Sequence, residues 1–241
     1  MKLGIILFGL LMSILAYAET KYVIVTEEYE PYEYLSGGKP VGHDVEILDE
    51  IAKRKGFKLE YVYLPWKRAL EKTKEGSADA IISLFDSAER REFLKFSEIP
   101  LSSEKNVIIS LAETKEVKSL KDLEGQTVGL QSGYEYPEVF MKTSNFQRDE
   151  ANDLLTILKK LQGGRFPYAI VNEICALTTA KKSLPELVGK YRTNFVVGDD
   201  PMYKGFAKKS PNFAIFSDLI NKGLEELKKD GTLEKINKKY N

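Results

Sequence analysis

The residues in this chain best able to do chemistry are a guanidinium, several aromatic rings and a glycine loop; none is an activated nucleophile. Arg90 ends the run Ser83-Leu84-Phe85-Asp86-Ser87-Ala88-Glu89-Arg90, just beyond a compact apolar segment at 80–83. A guanidinium there can hold a carboxylate through two parallel hydrogen bonds. Asp86 followed by Glu89 reads as a capping box opening a short helix. On these residues alone, a solvated surface arginine is an equal reading of Arg90, and Arg91 is assigned to solvent. Tyr29, Tyr32 and Tyr34 surround Pro31 and form either a stiff hydrogen-bonding wall or a surface turn with one buried ring. Trp66 is the only tryptophan and opens a helix directly after a strand, where it can stack on a ligand or fill the core.

Two further segments offer polar groups at strand ends. Val128-Gly129-Leu130-Gln131-Ser132-Gly133-Tyr134 runs from a strand through a polar glycine loop into an expected helical turn, whose free N–H groups suit an anion. Asn172-Glu173 follows the apolar strand at 168–171 with one neutral and one acidic side chain. Cys175 and His43 are the only cysteine and histidine. That leaves little material for a zinc site or for Ser-His-Asp or Cys-His catalysis. No intrachain disulfide can form, and Cys175, in an apolar stretch, reads as packing. The 36 basic groups balance the 36 acidic ones, so there is no basic footprint for nucleic acid.

These groups must be positioned by alternating strands and helices. A strand at 22–26 precedes a helix through Val45, Leu48 and Ile51 that Gly56 stops. A strand at 58–63, a helix from Pro65 to Gly76 and a strand at 80–83 complete a β-α-β-α-β order, which predicts a mainly parallel sheet covered by helices. The same order restarts with strands at 127–130 and 168–171 around a helix at 154–161, and with a helical turn or two at 134–141. Strands at 107–111 and 195–198 are expected to cross between the halves. A further strand at 205–208 and a helix at 212–229 should return to the first lobe. The expected division is therefore 19–109 plus 199–241 for lobe 1 and 110–198 for lobe 2, an arrangement suited to hinge closure. At the start, Lys2, an apolar run at 3–15 and Ala16-Tyr17-Ala18 read as a signal peptide over 1–18, too short to span a bilayer, with no cysteine to lipidate.

Tyr29-Glu30-Pro31-Tyr32, Gly42-His43-Asp44, Ser87-Ala88-Glu89-Arg90 with Phe96-Ser97, the loop Gln131-Ser132-Gly133, and Asp230-Gly231-Thr232-Leu233 near the end together resemble family 3 of the bacterial extracellular solute-binding proteins. The resemblance covers nearly the whole chain after residue 18. It implies the α/β type II periplasmic binding fold, two lobes joined by two hinge crossings, closing as a Venus flytrap. It also implies a role in capturing a small carboxylate-bearing solute, an amino acid or a relative, for an ABC transporter permease. By position, Arg90 matches the arginine that grips the ligand carboxylate, Tyr29 a covering aromatic, Trp66 a side-chain contact and Ser83 a hydroxyl or carbonyl contact. Ser132, Tyr134 and Glu135 match the second-lobe loop, and Asp44 a structural residue near the cleft.

Two positions depart from the family pattern: Phe85 stands where a hydroxyl is common, and Asn172 where an aspartate meets the ligand ammonium. Asn172 cannot neutralise a buried cation, so either Glu173 or Glu135 supplies that charge or the ligand is not an ordinary amino acid. The stretch Pro65-Trp66-Lys67-Arg68-Ala69 marks a divergent branch. The expectation is a monomeric periplasmic binder without catalytic residues, metal or cofactor. Two alternatives are a cyclohexadienyl dehydratase-like enzyme, with Glu173 as its acid, and a sensory module for a membrane receptor.

Overall fold

The computed structural model describes residues 20–240; the expected signal peptide at 1–18 lies outside them. The chain begins with β1 (Lys21–Thr26), a small hairpin of β2 (Tyr34–Ser36) and β3 (Lys39–Val41), then α1 (His43–Lys55), β4 (Lys58–Tyr63), α2 (Trp66–Glu75) and β5 (Ala80–Leu84). A short α3 (Ala88–Arg91), β6 (Leu94–Phe96) and the long β7 (Ser102–Leu111) lead into the second half. There follow β8 (Thr127–Gln131), α4 (Glu138–Lys142), β9 (Gln147–Ala151), α5 (Leu154–Gln162), β10 (Tyr168–Asn172) and α6 (Glu173–Ser183). The 17-residue β11 (Tyr191–Ala207) returns to the first half, and α7 (Phe213–Lys229) and α8 (Thr232–Tyr240) end the chain.

One path of strands, β4-β1-β5-β11-β7-β10-β8-β9, runs through both halves. β1 pairs in parallel with β4 and β5, and β8 pairs in parallel with β10 and β9. Between these parallel sets, β11 and β7 run antiparallel over ten paired positions from Tyr191↔Leu111 to Met202↔Ser102, so the same two strands carry the chain across and back. Ile24, Ile47, Ile51, Phe206, Phe216, Ile220 and Leu224 form a core that holds α1 and α7 on one face of the first lobe. Trp66, Ala69, Ile81 and Leu94 pack α2 against the other. The second lobe has its own cores, one under α5 and α6 and one under α4. A residue such as Phe216, fully buried and stacked at 4.2 Å on Tyr22, belongs to the class whose truncation to Ala costs about 3–5 kcal/mol.

Three local expectations are corrected. The crossing strands are not two short apolar runs: β7 starts at Ser102, and β11 continues unbroken through Asp199-Asp200-Pro201 to join the expected strand at 205–208. Pro201 is tolerated because β11 there pairs only with β7, its pairing with β5 beginning at Tyr203. The glycine loop does not open a helix at Tyr134; α4 starts at Glu138, behind Pro137. A proline disfavours the α conformation in the residue before it, so no helix runs through Tyr136. Finally, α3 is capped by Ser87, whose hydroxyl accepts from the Arg90 N–H at 3.3 Å. Asp86 instead accepts from Nε and one Nη of Arg91, each at 2.6 Å, so Arg91 is not simply solvated.

Candidate functional site

The strand ends of the two lobes meet across a closed seam, and contacts across and beside it show where they touch. The Trp66 indole N–H donates to the Gly133 carbonyl at 2.9 Å. Glu27, just past β1, accepts from the Tyr134 hydroxyl and, at 3.0 Å, from the Gln131 amide. Lys182 on α6 pairs with Glu30 at 2.9 Å, and the Tyr32 hydroxyl donates to the Ser103 carbonyl at 2.9 Å. Ser87 reaches Glu135 at 3.4 Å. Tyr29, Cys175 and Met202 are buried together in the seam, with Tyr32, Phe85 and Tyr134 against them. Burial of Cys175 pushes its thiol well up, in keeping with a packing role.

Four of the residues singled out by sequence converge here. Tyr134 lies edge-on to Trp66 at 5.5 Å and to Tyr29 at 6.1 Å. The Arg90 guanidinium lies 5.5 Å from the Trp66 ring, a cation–π distance. Arg90 is buried; one N–H goes to the Phe85 carbonyl at 3.0 Å, and among the described residues it forms no salt bridge. Burial lowers its pKa, against the opposing charges of Glu135, Tyr134, Glu89 and Glu104. The guanidinium therefore keeps most of its donor fork for an acceptor in the seam.

The other singled-out residues are placed differently. Ser132 donates its backbone N–H to Ala151 at 2.8 Å and its hydroxyl to Glu150, so both donors are spent inside lobe 2. The Ser83 hydroxyl, at a residue with φ of +58°, lies 2.6 Å from Glu33 and 2.7 Å from Asp44. One O–H cannot serve two carboxylates. Burial pushes Glu33 well up, with the charge of Asp44 adding to it, so Glu33 carries the second proton. Asp44 also bonds His43 at 2.5 Å; burial opposes, but this bond and charge raise the His43 pKa. Asp44 is thus the structural residue expected of it. Glu135 stands as a counter-charge near Arg90, which makes it unsuited to holding a second carboxylate. Asn172 caps α6: its Oδ1 accepts from the Cys175 N–H at 3.0 Å, while its Nδ2 has no partner. Glu173 turns out of the seam, paired with Lys105 at 2.9 Å and accepting from Thr193 at 3.2 Å.

Sequence reading passes over the most central acid. Glu104 lies in the polar half of β7, is 5 % exposed, and its charge is felt by Tyr29, Tyr32, Tyr134, Arg90 and Glu27. Burial pushes its carboxyl up to about 7, against the opposing influence of the nearby Tyr29 and Asn106 donors and the charge of Arg90. Glu27 is likewise pushed up to about 7 by burial, against its bonds from Tyr134 and Gln131. No motif marks Glu104, and the polar run around it gives no signal of burial.

A model of the bacterial extracellular solute-binding proteins, family 3, matches residues 22–241. The chain belongs to that family. The arginine-binding extracellular protein ArtP of Bacillus subtilis is 29% identical over 218 residues, spanning 88% of this chain and 82% of the relative. The L-cystine-binding protein TcyA of the same organism is 26% identical over 215 residues, spanning 88% and 77%. The structure of an ancestral arginine-binding protein bound to arginine aligns with a TM-score of 0.78 at 25% identity, over 92% of this chain and 98% of that one. A histidine kinase sensor domain aligns with a TM-score of 0.81 at 21% identity, over 92% and 96%. An ancestral amino acid-binding protein described as a precursor of cyclohexadienyl dehydratase aligns with a TM-score of 0.74 at 21% identity, over 91% and 94%. This family 3 chain therefore has the type II periplasmic binding fold, two lobes with two hinge crossings, and its curated relatives are binding proteins.

Proposed function

We propose that this protein captures a small amino acid or closely related carboxylate between its lobes and delivers it to an ABC transporter permease from the periplasm, as a monomer exported by residues 1–18. The observation that carries the reading is Arg90: a buried guanidinium, stacked near Trp66, with a single backbone carbonyl as its hydrogen-bond acceptor. A buried cation left so sparsely paired is costly unless an anion completes it. The lobes, taken as 19–109 plus 199–241 and 110–198, would close on the ligand about the β7–β11 pair.

The dehydratase alternative loses its acid, since Glu173 is held outside the seam by Lys105 and Thr193, and prephenate should yield no phenylpyruvate above background. For the sensory alternative, the likeness to the kinase sensor domain is one of fold. The deciding experiment is a thermal-shift screen over amino acids, dicarboxylates and aromatic acids. A ligand at about 100 times its Kd adds ~2.7 kcal/mol of stability. Arg90→Ala should abolish the shift of whichever compound gives one; an unchanged shift would place the carboxylate elsewhere.

A further inference from the structure

A chain of hydrogen bonds runs from the last helix, α8, to the strand end that precedes Arg90. The Asn237 side-chain oxygen lies 2.8 Å from His43 Nε2, and His43 Nδ1 lies 2.5 Å from Asp44. Both partners of the imidazole are acceptors, so His43 donates from both nitrogens. Asp44 and Glu33 clasp the Ser83 hydroxyl at 2.7 and 2.6 Å, and Thr26 donates to the other Glu33 oxygen at 3.1 Å. Thr26, Glu33, His43, Asp44 and Ser83 are all buried. Among the described residues, Ser83 is the only one other than glycine with a positive φ, +58°. It lies in β5 where the step from Ile81 to Leu84 faces the shorter step from Gly205 to Tyr203 on β11. That is a bulge with its extra residue on β5, and the left-handed position of a bulge is ordinarily glycine's. Just beyond it stands the anchor: the Phe85 carbonyl accepts from the Arg90 guanidinium at 3.0 Å, and Ser87 accepts from the Arg90 backbone N–H at 3.3 Å. The direction in which the strand leaves the bulge therefore sets where the guanidinium lies against Trp66.

Resting on the reading that Arg90 meets a ligand carboxylate, we infer that Asn237 and His43 are positioning residues for that anchor: through Asp44 they hold Ser83 in the left-handed position of the bulge, and the bulge aims the Phe85 carbonyl and the Arg90 guanidinium. The helix that presents Asn237 is itself pinned to α1, since Lys239 pairs with Glu46 at 2.6 Å and the Tyr240 hydroxyl donates to the same carboxylate at 2.9 Å. Lys204 lies on β11 opposite the bulge, but its Nζ is buried without a hydrogen-bond partner. It leaves the orientation of Asp44 to His43 and Ser83. A glycine at 83 would need no clasp; a serine there relaxes towards the extended region once its hydroxyl is released. The choice of serine thus makes the aim of Arg90 depend on the far end of the chain.

The test compares Asn237→Leu, which removes the acceptor at similar size, with Asn237→Asp, which keeps one, each alone and with Ser83→Gly added. Glycine holds a left-handed φ without support. Isothermal calorimetry uses L-arginine, L-histidine and L-cystine as probes. For whichever binds the unaltered protein, Asn237→Leu should weaken affinity about fivefold, the equivalent of one net hydrogen bond. Asn237→Asp should keep most of the affinity, and adding Ser83→Gly to Asn237→Leu should restore most of what was lost. Urea midpoints show whether each variant is folded; should Asn237→Leu not fold, Asn237→Ala carries the same comparison. A fall in stability with unchanged affinity would make Asn237 a structural residue and overturn the inference. An affinity loss that Ser83→Gly leaves in place would overturn it too, because the effect would not pass through the bulge. The single indole N–H resonance of Trp66, whose ring lies 5.5 Å from Arg90, gives a reading without any probe. It should move in Asn237→Leu and return when Ser83→Gly is added; an unmoved resonance would overturn the assignment. Failure of all three amino acids to bind the unaltered protein would count against the functional reading alone, since the indole resonance still decides the positioning.

Discussion

The indole N–H of Trp66 donates across the seam to the carbonyl of Gly133 at 2.9 Å, joining the first residue of α2 to the loop after β8. Gly133 has φ of +79°, and a Cβ built there would lie 3.1 Å from Lys67 and 3.6 Å from Trp66. The turn therefore needs glycine both for its left-handed backbone and for the close approach of the opposite lobe. The same ring lies beside Arg90. One side chain thus touches both the opposite lobe and the buried guanidinium.

Because Trp66 is the only tryptophan, intrinsic fluorescence should report closure without a label. Ligand addition is expected to change its emission along a saturable curve. Trp66→Phe keeps a ring but removes the N–H, and a net hydrogen bond of about 1 kcal/mol corresponds to roughly fivefold weaker binding. Trp66→Ala also removes the support beside Arg90 and should weaken binding more. Calorimetry on the two variants checks the order; equal losses would mean that the hydrogen bond contributes nothing.

Arg90→Lys tests geometry apart from charge. A lysine keeps the cation but loses the planar fork, so ligand affinity should fall by about tenfold or more. Arg90→Leu should remove binding altogether. It should also leave the free protein as stable as the parent or more so, because it removes a buried cation that has one carbonyl partner. Urea unfolding of the ligand-free proteins reads that second outcome; a large loss of stability would make Arg90 a structural residue.

Much of this architecture was readable because the parallel strands are short apolar runs bounded by glycine: Gly56 and Gly76 end α1 and α2 in the left-handed conformation that their positions imply. The burial of Arg90 was not readable from its own segment, where a solvated arginine was an equal reading. Nor was the hinge. Residues 102–106 and 198–202 are polar, and only their mutual pairing makes them strands, a partner that lies far away along the chain. Glu104 was hidden for the same reason: an acid in a polar run looks solvated until the second crossing strand covers it. Ser83 and Ser132 show the reverse case. Each occupies a ligand-facing position by motif, yet Glu33 and Asp44 claim one hydroxyl and Glu150 the other.

The buried acids should give the ligand-free protein an inverted acid response. Glu104, beside Tyr29, Asn106, Arg90 and Asp200, has its carboxyl at about 7 against an ordinary 4.5. Between those values the unfolded chain releases a proton that the folded chain retains. The contribution of Glu104 is therefore fully present below about 4.5 and is lost as pH rises through 7. One pKa unit is 1.36 kcal/mol, so the loss approaches about 3 kcal/mol. Urea midpoints at pH 5 and pH 8 should show a fall with pH that Glu104→Gln reduces, leaving the share of Glu27 and Glu33, which are raised in the same sense. A parent protein that is more stable at pH 8 would contradict this.

Lys204 sets the opposite slope. It lies on β11 where the register against β5 shifts between Tyr203 and Gly205, its backbone tied to Ser97, and its Nζ is fully buried with no hydrogen-bond partner. Burial lowers its pKa to about 7, and the charge of Asp44 offsets only part of that. Between 7 and its ordinary 10.5 the unfolded chain binds a proton that the folded chain does not, so this residue makes stability rise with pH over that window. At pH 7 and below it lowers stability. Lys204→Met keeps the length of the side chain and removes the charge, and replacing a buried charge by a hydrophobic residue of similar size stabilises by about 1–4 kcal/mol. The gain should be largest near pH 6 and shrink steadily as pH approaches 10. Urea unfolding of the two proteins at pH 6 and pH 9.5 checks it; a variant less stable than the parent at pH 6 would show that Lys204 is paired in solution and that its charge holds this lobe together.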